Sequence, residues 1–161
     1  MIILIMGVSG SGKSTIDRRL AMALTWTFVD ADAFHPPANV DKMRQAIALT
    51  DADRHSWLLA LREEIVSWLR DGRQVVLACS ALKAAYRRLL LIDPSHMKLV
   101  YLKGSFDLFR KRLSRRPRHF MPEELLASQC EILEEPPDAL MIDAEDPPEA
   151  IVQRIRSSLM V

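Results

Sequence analysis

The chain has 161 residues, of which 27% are charged, and a formal net charge of +1. This length suits one domain with one sizeable core, and the near-zero charge argues against a general electrostatic attraction to nucleic acid or to an anionic membrane. The two cysteines, Cys79 and Cys130, are too few for a disulfide framework and are typical of a reducing compartment. We therefore expect a cytoplasmic protein with neither nucleic acid nor a membrane among its partners.

Short apolar segments predict the strands of a sheet. They are "IILIM" (2–6), "TFVD" (27–30), "QVVLAC" (74–79), "KLVYL" (98–102) and "ALMID" (139–143). Most do not alternate between apolar and polar residues, which is typical of strands buried on both faces of a parallel sheet. The first run is far shorter than the ~20 residues that cross a bilayer, and it lacks a basic leader and a cleavage site, so we expect no signal peptide.

Segments with helical spacing lie between the strands. Helices are predicted over 14–24 and over 53–70, the second closed by Gly72, and a third begins after the prolines of "DPPE". The apolar stripe of the second helix consists of Trp57, Leu58, Leu61, Ile65 and Leu69. Alternation of strand and helix predicts an α/β fold with right-handed crossovers and a doubly wound sheet. Because we find no linker, repeat or low-complexity segment, we expect a single domain over 1–161.

The stretch "GVSGSGKST" (7–15) directly follows the first predicted strand. It matches the phosphate-binding pattern G-x-x-x-x-G-K-[ST] and precedes a predicted helix, a context that disfavours a glycine-rich turn without a ligand. Glycines let backbone N–H groups surround a phosphate, and the helix start adds partial positive charge. Lys13 would reach the β- and γ-phosphates of ATP, and the Ser14 hydroxyl would bind Mg²⁺. We expect the nucleotide to contact Gly7, Ser9, Gly10, Ser11, Gly12, Lys13, Ser14 and Thr15.

Two aspartates follow the second predicted strand in "VDAD". The chain has no guanine-reading N-K-x-D, and its third predicted strand ends in Cys79-Ser80, without the metal-holding aspartate of motor and transporter ATPases. Carboxylate support for Mg²⁺ would therefore come from Asp30 or Asp32, at the edge of the sheet where ligands bind in such folds. A hydroxyl acceptor also needs a carboxylate to orient it or to take its proton. The alternative is a strand-end turn with two solvated aspartates.

Six motifs that span nearly the whole chain resemble the gluconate kinase (gluconokinase) family. They are "GVSGSGKS", "DAD-x-FHP-x-x-N-x-x-KM", "L-T-D-x-DR-x-x-WL-x-x-L", "CSALK-x-x-YR", "YLKG" and "HFMP-x-x-LL-x-SQ-x-x-LEEP". The resemblance implies a three-layer P-loop kinase fold like that of nucleoside monophosphate kinases, with sheet order 2-3-1-4-5, helices on both faces and a lid. It also implies phosphorylation of D-gluconate by ATP on its terminal hydroxyl, and a homodimer.

The resemblance assigns the acceptor side of the site. Gluconate carries a carboxylate, for which Arg54 and Arg87 rank above Lys83 because only an arginine fork binds a carboxylate bidentately. His35 could donate to a substrate hydroxyl. Asp32 occupies the family position of the acceptor-facing carboxylate, and Asp30 is left to support Mg²⁺. For each of these side chains, a solvated or structural role is the alternative.

The basic run "RKRLSRRPRHF" (110–120) corresponds to the lid of the family, over about 110–130. Closure would bring Arg112 and Arg116 to the transferring phosphate, and we expect Arg116, with Lys13 and Asp32, to be catalytic. A solvated helix end or a nucleic-acid patch is the alternative, but the chain lacks the net basic charge and aromatic platforms that usually accompany the latter. The loop "DAEDPP" (143–148) would pack against adenine.

The sequence departs from the family pattern where glycine or proline is usual. These positions are Ala31, Ala46, Ala48, Ser56 and Arg118. The changes spare the candidate catalytic side chains but put lid motion and acceptor identity in question. Two other functions stay open: a related P-loop small-molecule kinase, such as a shikimate-like enzyme, and a nucleotide-binding regulator without turnover.

Overall fold

The structure is a computed structural model that describes residues 1–115 and 123–161. Its elements, in chain order, are Ile2–Met6 (β1), Lys13–Leu24 (α1), Thr27–Asp30 (β2), Ala31–Phe34 (a 3-10 turn), Pro37–Arg44 (α2), Asp51–Arg70 (α3), Val75–Ala78 (β3), Ala84–Leu90 (α4), Met97–Lys103 (β4), Phe106–Ser114 (α5), Glu123–Ile132 (α6), Leu140–Asp143 (β5) and Pro148–Leu159 (α7). The predicted strands are confirmed within one residue at either end.

The strands form a parallel sheet in the order β2-β3-β1-β4-β5. The predicted doubly wound sheet and the order implied by the family resemblance are therefore confirmed. In the centre, β1 pairs with β3 on one side and with β4 on the other, and all five of its residues are fully buried. This is why its sequence is continuously apolar instead of alternating.

Helices cover both faces of the sheet and make a three-layer architecture. Ile3 and Ile5 of β1 point into one core, which α1, α5, α6 and α7 complete. Ile2 and Leu4 point into the other core, where the predicted apolar stripe of α3 packs together with α4. Among the described residues, no helix is both long and apolar enough to span a membrane.

The crossovers bring three polar segments to the carboxyl edge of the sheet. The loop 7–12 follows β1, the 3-10 turn follows β2, and residues 79–83 follow β3. Because these strands are parallel neighbours, the segments that follow them meet at one edge of the sheet. This edge lies beside the switch point of the strand order, where β2 and β3 are on one side of β1 and β4 and β5 are on the other. The fold therefore places both aspartates beside the phosphate-binding motif.

Candidate active site

A cavity of about 470 Å³ lies at this edge of the sheet. One wall is the loop after β1, with Lys13 and Ser14 at the start of α1, and another wall carries Asp32, His35 and Arg54. Leu125, Ser128 and Gln129 of α6 also line the cavity. The residues that line the cavity come from sequence segments up to 120 positions apart, those of Ser9 and Gln129.

The loop after β1 has the backbone conformation that its glycines predict. Gly10 (φ 81°) and Gly12 (φ 101°) lie in the left-handed region, and a Cβ on Gly10 would stand 2.8 Å from the Phe109 carbonyl oxygen. The Lys13 ammonium donates to the carbonyls of Gly7 (2.8 Å) and Val8 (3.0 Å), which pins the loop around the cation. A loop of this shape fits a phosphate group, because its backbone amides and one cation converge.

A buried acid accompanies this cation. Asp17 follows Lys13 by one helical turn, is fully buried, and has no hydrogen-bond partner within the described chain on either carboxylate oxygen. Burial raises the pKa of Asp17 well above its ordinary value, against the attraction of the Lys13 charge. Burial also lowers the pKa of Lys13, and the neighbouring Asp32, Asp17 and Asp30 oppose that shift. No sequence motif pointed to Asp17.

The two aspartates have different surroundings. Asp30 ends β2, and its Oδ1 accepts a hydrogen bond from the Asp32 backbone N–H (3.0 Å), which caps the 3-10 turn. The Asp32 side chain is 73% exposed, but it faces the concave cavity. Desolvation there and the negative charge of Asp30 raise the pKa of Asp32, while Lys13 lowers it. The capping bond gives Asp30 a structural task in addition to any contact with a metal.

Trp57 of α3 holds the turn that carries Asp32. Its indole Nε1 donates to the carbonyl of Ala31 (2.7 Å), and both residues are buried. The same indole ring stacks on His35, with ring centroids 4.3 Å apart. One buried aromatic side chain therefore fixes two candidate acceptor-binding residues, a role that its apolar spacing along the helix did not reveal.

His35 is a neutral hydrogen-bonding group. Desolvation and the nearby positive charge of Arg54 lower the pKa of His35 to about 4. The amide nitrogen of Asn39 lies 2.7 Å from the Asp53 carbonyl and 3.4 Å from His35 Nδ1. Since that nitrogen is a donor to both, Nδ1 acts as the acceptor and the ring proton resides on Nε2, which is 3.8 Å from Asp32 Oδ1. The tautomer therefore leaves an N–H beside the Asp32 carboxylate.

Arg54 reaches the cavity from the first turns of α3. The helix begins with a capping box in which Thr50 and Asp53 bond each other's backbone N–H, and Arg54 follows directly. Its guanidinium lies 3.4 Å from the Tyr86 hydroxyl and 5.8 Å from the centre of that ring. Its side chain is only 17% exposed. Arg54 is therefore a cation held in place in the same wall of the cavity as Asp32 and His35, the acceptor wall.

The other two predicted carboxylate ligands are not among the residues that line the cavity. Arg87 is buried and donates from Nη1 to the carbonyls of Ala81 (2.9 Å) and Leu82 (3.0 Å). Lys83 bonds both carboxylate oxygens of Asp51, at 2.9 and 2.8 Å. Because backbone carbonyls and a carboxylate already engage these cations, the expectation that Arg87 ranks with Arg54 is not supported by the geometry.

Arg112 links the phosphate-binding loop to the loop after β5. It donates to the carbonyls of Ser11 (3.4 Å) and Ala144 (2.6 Å) and borders a second hollow of about 300 Å³. Asp146 and Pro148, from the loop predicted to pack against adenine, also line this hollow. The other lid arginine, Arg116, lies outside the described residues.

Comparisons with known proteins agree with this geometry. A family model described as an AAA domain matches residues 2–136. The gluconokinase of Gluconobacter oxydans (strain 621H) is 40% identical over 156 residues, covering 95% of this chain and 88% of that protein. The chain belongs to the gluconokinase family.

Two solved structures extend this assignment to three dimensions. A gluconokinase from Sinorhizobium meliloti 1021 superposes with a TM-score of 0.85 at 39% identity, covering 98% of this chain and 94% of that one. A sugar kinase from Janibacter sp. HTCC2649 gives a TM-score of 0.91 at 39% identity, covering 99% and 94%. The resemblance of the sequence motifs to the gluconokinase family is thus confirmed.

The departures from the gluconokinase pattern have unequal structural consequences. Ala31 lies in the 3-10 turn and Ser56 inside α3, and neither conformation requires the usual glycine or proline. Ala46, by contrast, has φ 59°, a left-handed conformation that glycine adopts at lower cost. Its neighbour Ala48 lines the cavity, and Arg118 lies outside the described residues.

Proposed function

We propose that this protein transfers the terminal phosphoryl group of ATP to the terminal hydroxyl of D-gluconate, giving 6-phospho-D-gluconate and ADP. The observation that carries the proposal is the shared cavity, in which the Lys13 cradle faces Asp32, His35 and Arg54. Such an arrangement suits phosphoryl transfer, where the protein mainly positions two reactants and stabilises spreading negative charge.

Each wall supplies its own chemistry. Lys13 and the backbone amides of its loop would stabilise the negative charge that develops on the β- and γ-phosphate oxygens. Asp32 would accept the proton of the gluconate hydroxyl, and the Nε2–H of His35 would donate to a neighbouring hydroxyl. Arg54 would bind the substrate carboxylate. Arg116 stays a predicted catalytic residue of the lid.

The oxygen-bearing side chains in the cavity are of the kind that binds Mg²⁺. The Ser14 hydroxyl and the Asp30 carboxylate both border the cavity and would hold the ion, which neutralises charge between phosphate groups when bound. Within residues 1–115 and 123–161, no cluster of three or more histidine, cysteine or acidic side chains could hold a metal alone. Magnesium commonly takes its remaining ligands from phosphates and water. Location in the cytoplasm and assembly as a homodimer stay predictions from the sequence.

The test is ADP release from Mg-ATP against a panel of acceptors. Gluconate should raise the rate far above that without acceptor, whereas glucose, which lacks the carboxylate, should not. Shikimate and nucleoside monophosphates test the related-kinase alternative. ATP binding without stimulation by any acceptor would instead indicate a regulator without turnover.

A further inference from the structure

Gln129 of α6 contacts the phosphate-binding loop directly. Its Oε1 accepts a hydrogen bond from the backbone N–H of Ser9, with an N···O distance of 2.7 Å. The two residues are 120 positions apart in the sequence. Gln129 also lines the cavity together with Gly12, Lys13 and Ser14.

A fixed helix delivers this side chain. Leu126, one turn before Gln129, is 1% exposed and belongs to the core between the sheet and α1. Cys130 and Ile132 pack against the same core. Since three neighbours anchor α6, the carboxamide of Gln129 is held in place by packing as well as by its own hydrogen bond.

The bond to Ser9 also fixes which half of the carboxamide is available. A backbone N–H needs an acceptor, so the oxygen of the carboxamide is turned to Ser9 and its NH₂ group remains for another partner. That group is a neutral donor on a side chain that borders both the cavity and the loop. The phosphoryl group that we propose to bind on the same loop would be an anion, which such a donor suits.

We propose that Gln129 is a further residue of the phosphoryl-transfer site. Its oxygen positions Ser9 in the loop, and its NH₂ group donates to the terminal phosphoryl group of the bound nucleotide. The inference rests on the nucleotide half of the proposed function and is independent of which acceptor is used. A donor aimed at the transferring group would stabilise the charge that group carries during transfer.

The test compares binding of Mg-ADP with that of a non-hydrolysable Mg-ATP analogue by calorimetry, without acceptor. Gln129→Ala should weaken binding of the ATP analogue about 10- to 100-fold and that of ADP far less, because a hydrogen bond to a charged group is lost. Gln129→Glu keeps an oxygen for Ser9 but removes the NH₂ group and adds negative charge. It should weaken the ATP analogue at least as much as Gln129→Ala does. Gln153→Ala, the same substitution on an exposed position of α7, is the matched control.

Two outcomes would overturn the proposal. Equal losses for both nucleotides in Gln129→Ala, restored in Gln129→Glu, would mean that Gln129 only shapes the loop. A higher KM for gluconate with unchanged nucleotide selectivity would place the amide on the acceptor instead. The wild-type protein could bind the ATP analogue more tightly than ADP, lose that preference in Gln129→Ala, and yet not phosphorylate gluconate. The proposed function would then fail while this inference stands.

Discussion

The two walls of the cavity are built in different ways. The nucleotide wall comes from one continuous stretch, residues 9–14, whose backbone amides and Lys13 we propose to bind the phosphates. The acceptor wall gathers side chains from the 3-10 turn, its following loop and α3, and buried partners such as Trp57 and Asn39 orient them. A local motif therefore specifies the first wall, whereas tertiary packing specifies the second.

Among substitutions in the acceptor wall, Asp32→Asn should have the largest effect on kcat. The amide keeps the shape and one acceptor oxygen but cannot take a proton, so kcat should fall by about 10²–10⁴-fold with little change in ATP binding. Because the pKa of Asp32 is raised, the acid limb of the kcat/KM profile should lie above the range of an ordinary aspartate. As the pH falls through that pKa, the base is protonated and activity is lost.

Asp30→Asn is the matched comparison for Asp32→Asn. It should weaken the binding of Mg²⁺, so that activity requires more metal and is partly restored at high metal concentration. Its thermal midpoint should change little, because the asparagine Oδ1 can still accept the capping hydrogen bond from the Asp32 N–H. Wild-type kcat in Asp32→Asn would contradict the mechanism at its central step.

Lys13→Ala tests the nucleotide wall. The substitution removes the cation that stabilises negative charge on the β- and γ-phosphates during transfer. Such stabilisation lowers the activation barrier by about 3 kcal/mol, so kcat should fall at least ~10²-fold. Steady-state kinetics at saturating gluconate measure the change. Lys42→Ala, which removes an ammonium paired with Asp53 outside the cavity, is the control. Turnover near the wild-type level in Lys13→Ala would show that the cradle is not catalytic.

Arg54 and Arg87 sharpen the distinction between a binding cation and a structural one. Arg54→Ala should raise the KM for gluconate about 10- to 100-fold and leave the KM for ATP nearly constant, because a charged hydrogen bond to the carboxylate is lost. Arg87→Met should lower the thermal midpoint instead, since the carbonyls of Ala81 and Leu82 lose their donor. A large KM effect from Arg87→Met would restore it as a carboxylate ligand.

Ala46→Gly should give the smallest effect, on stability. With φ 59° at position 46, glycine removes the strain of a Cβ but also gains freedom in the unfolded chain. We expect a net gain of about 0.5–1 kcal/mol, seen as a thermal midpoint higher by roughly 1–4 °C. Ala48→Gly, in the same loop without a left-handed backbone, should destabilise. A midpoint that falls in both variants would mean that the left-handed turn carries no strain.

The sequence predicted the fold well because its signals are local. Continuous apolar runs marked the five strands, and the stripe from Trp57 to Leu69 marked α3. The short helices α2 and α4 span only 8 and 7 residues, too few for a clear periodic stripe. The sheet order came from the family resemblance, since no local pattern encodes which strands become neighbours.

The site was predicted in part. The phosphate-binding motif, Asp32, His35 and Arg54 meet as expected. Arg87 resembled Arg54 in sequence, and only the structure shows that backbone carbonyls already engage it. Gln129 and Trp57 lie within motifs that were recognised, but their contacts with Ser9 and Ala31 join distant parts of the chain. Spacing along the sequence gives no sign of such contacts.

The carboxyl of Asp17, which has no hydrogen-bond partner among the described residues, links folding to the binding of a proton. Its pKa is raised in the folded chain and returns to about 3.9 in the unfolded chain, so the folded protein retains a proton that the unfolded protein releases. The stability from this group is complete below the unfolded pKa and is lost as the pH rises through the folded pKa. Denaturant titrations across that interval should show a decline with pH that Asp17→Asn abolishes, whereas an unchanged slope would mean that another acid binds the proton. Across that interval, the folded state that presents Lys13 to the nucleotide therefore becomes less stable as the surroundings become more alkaline.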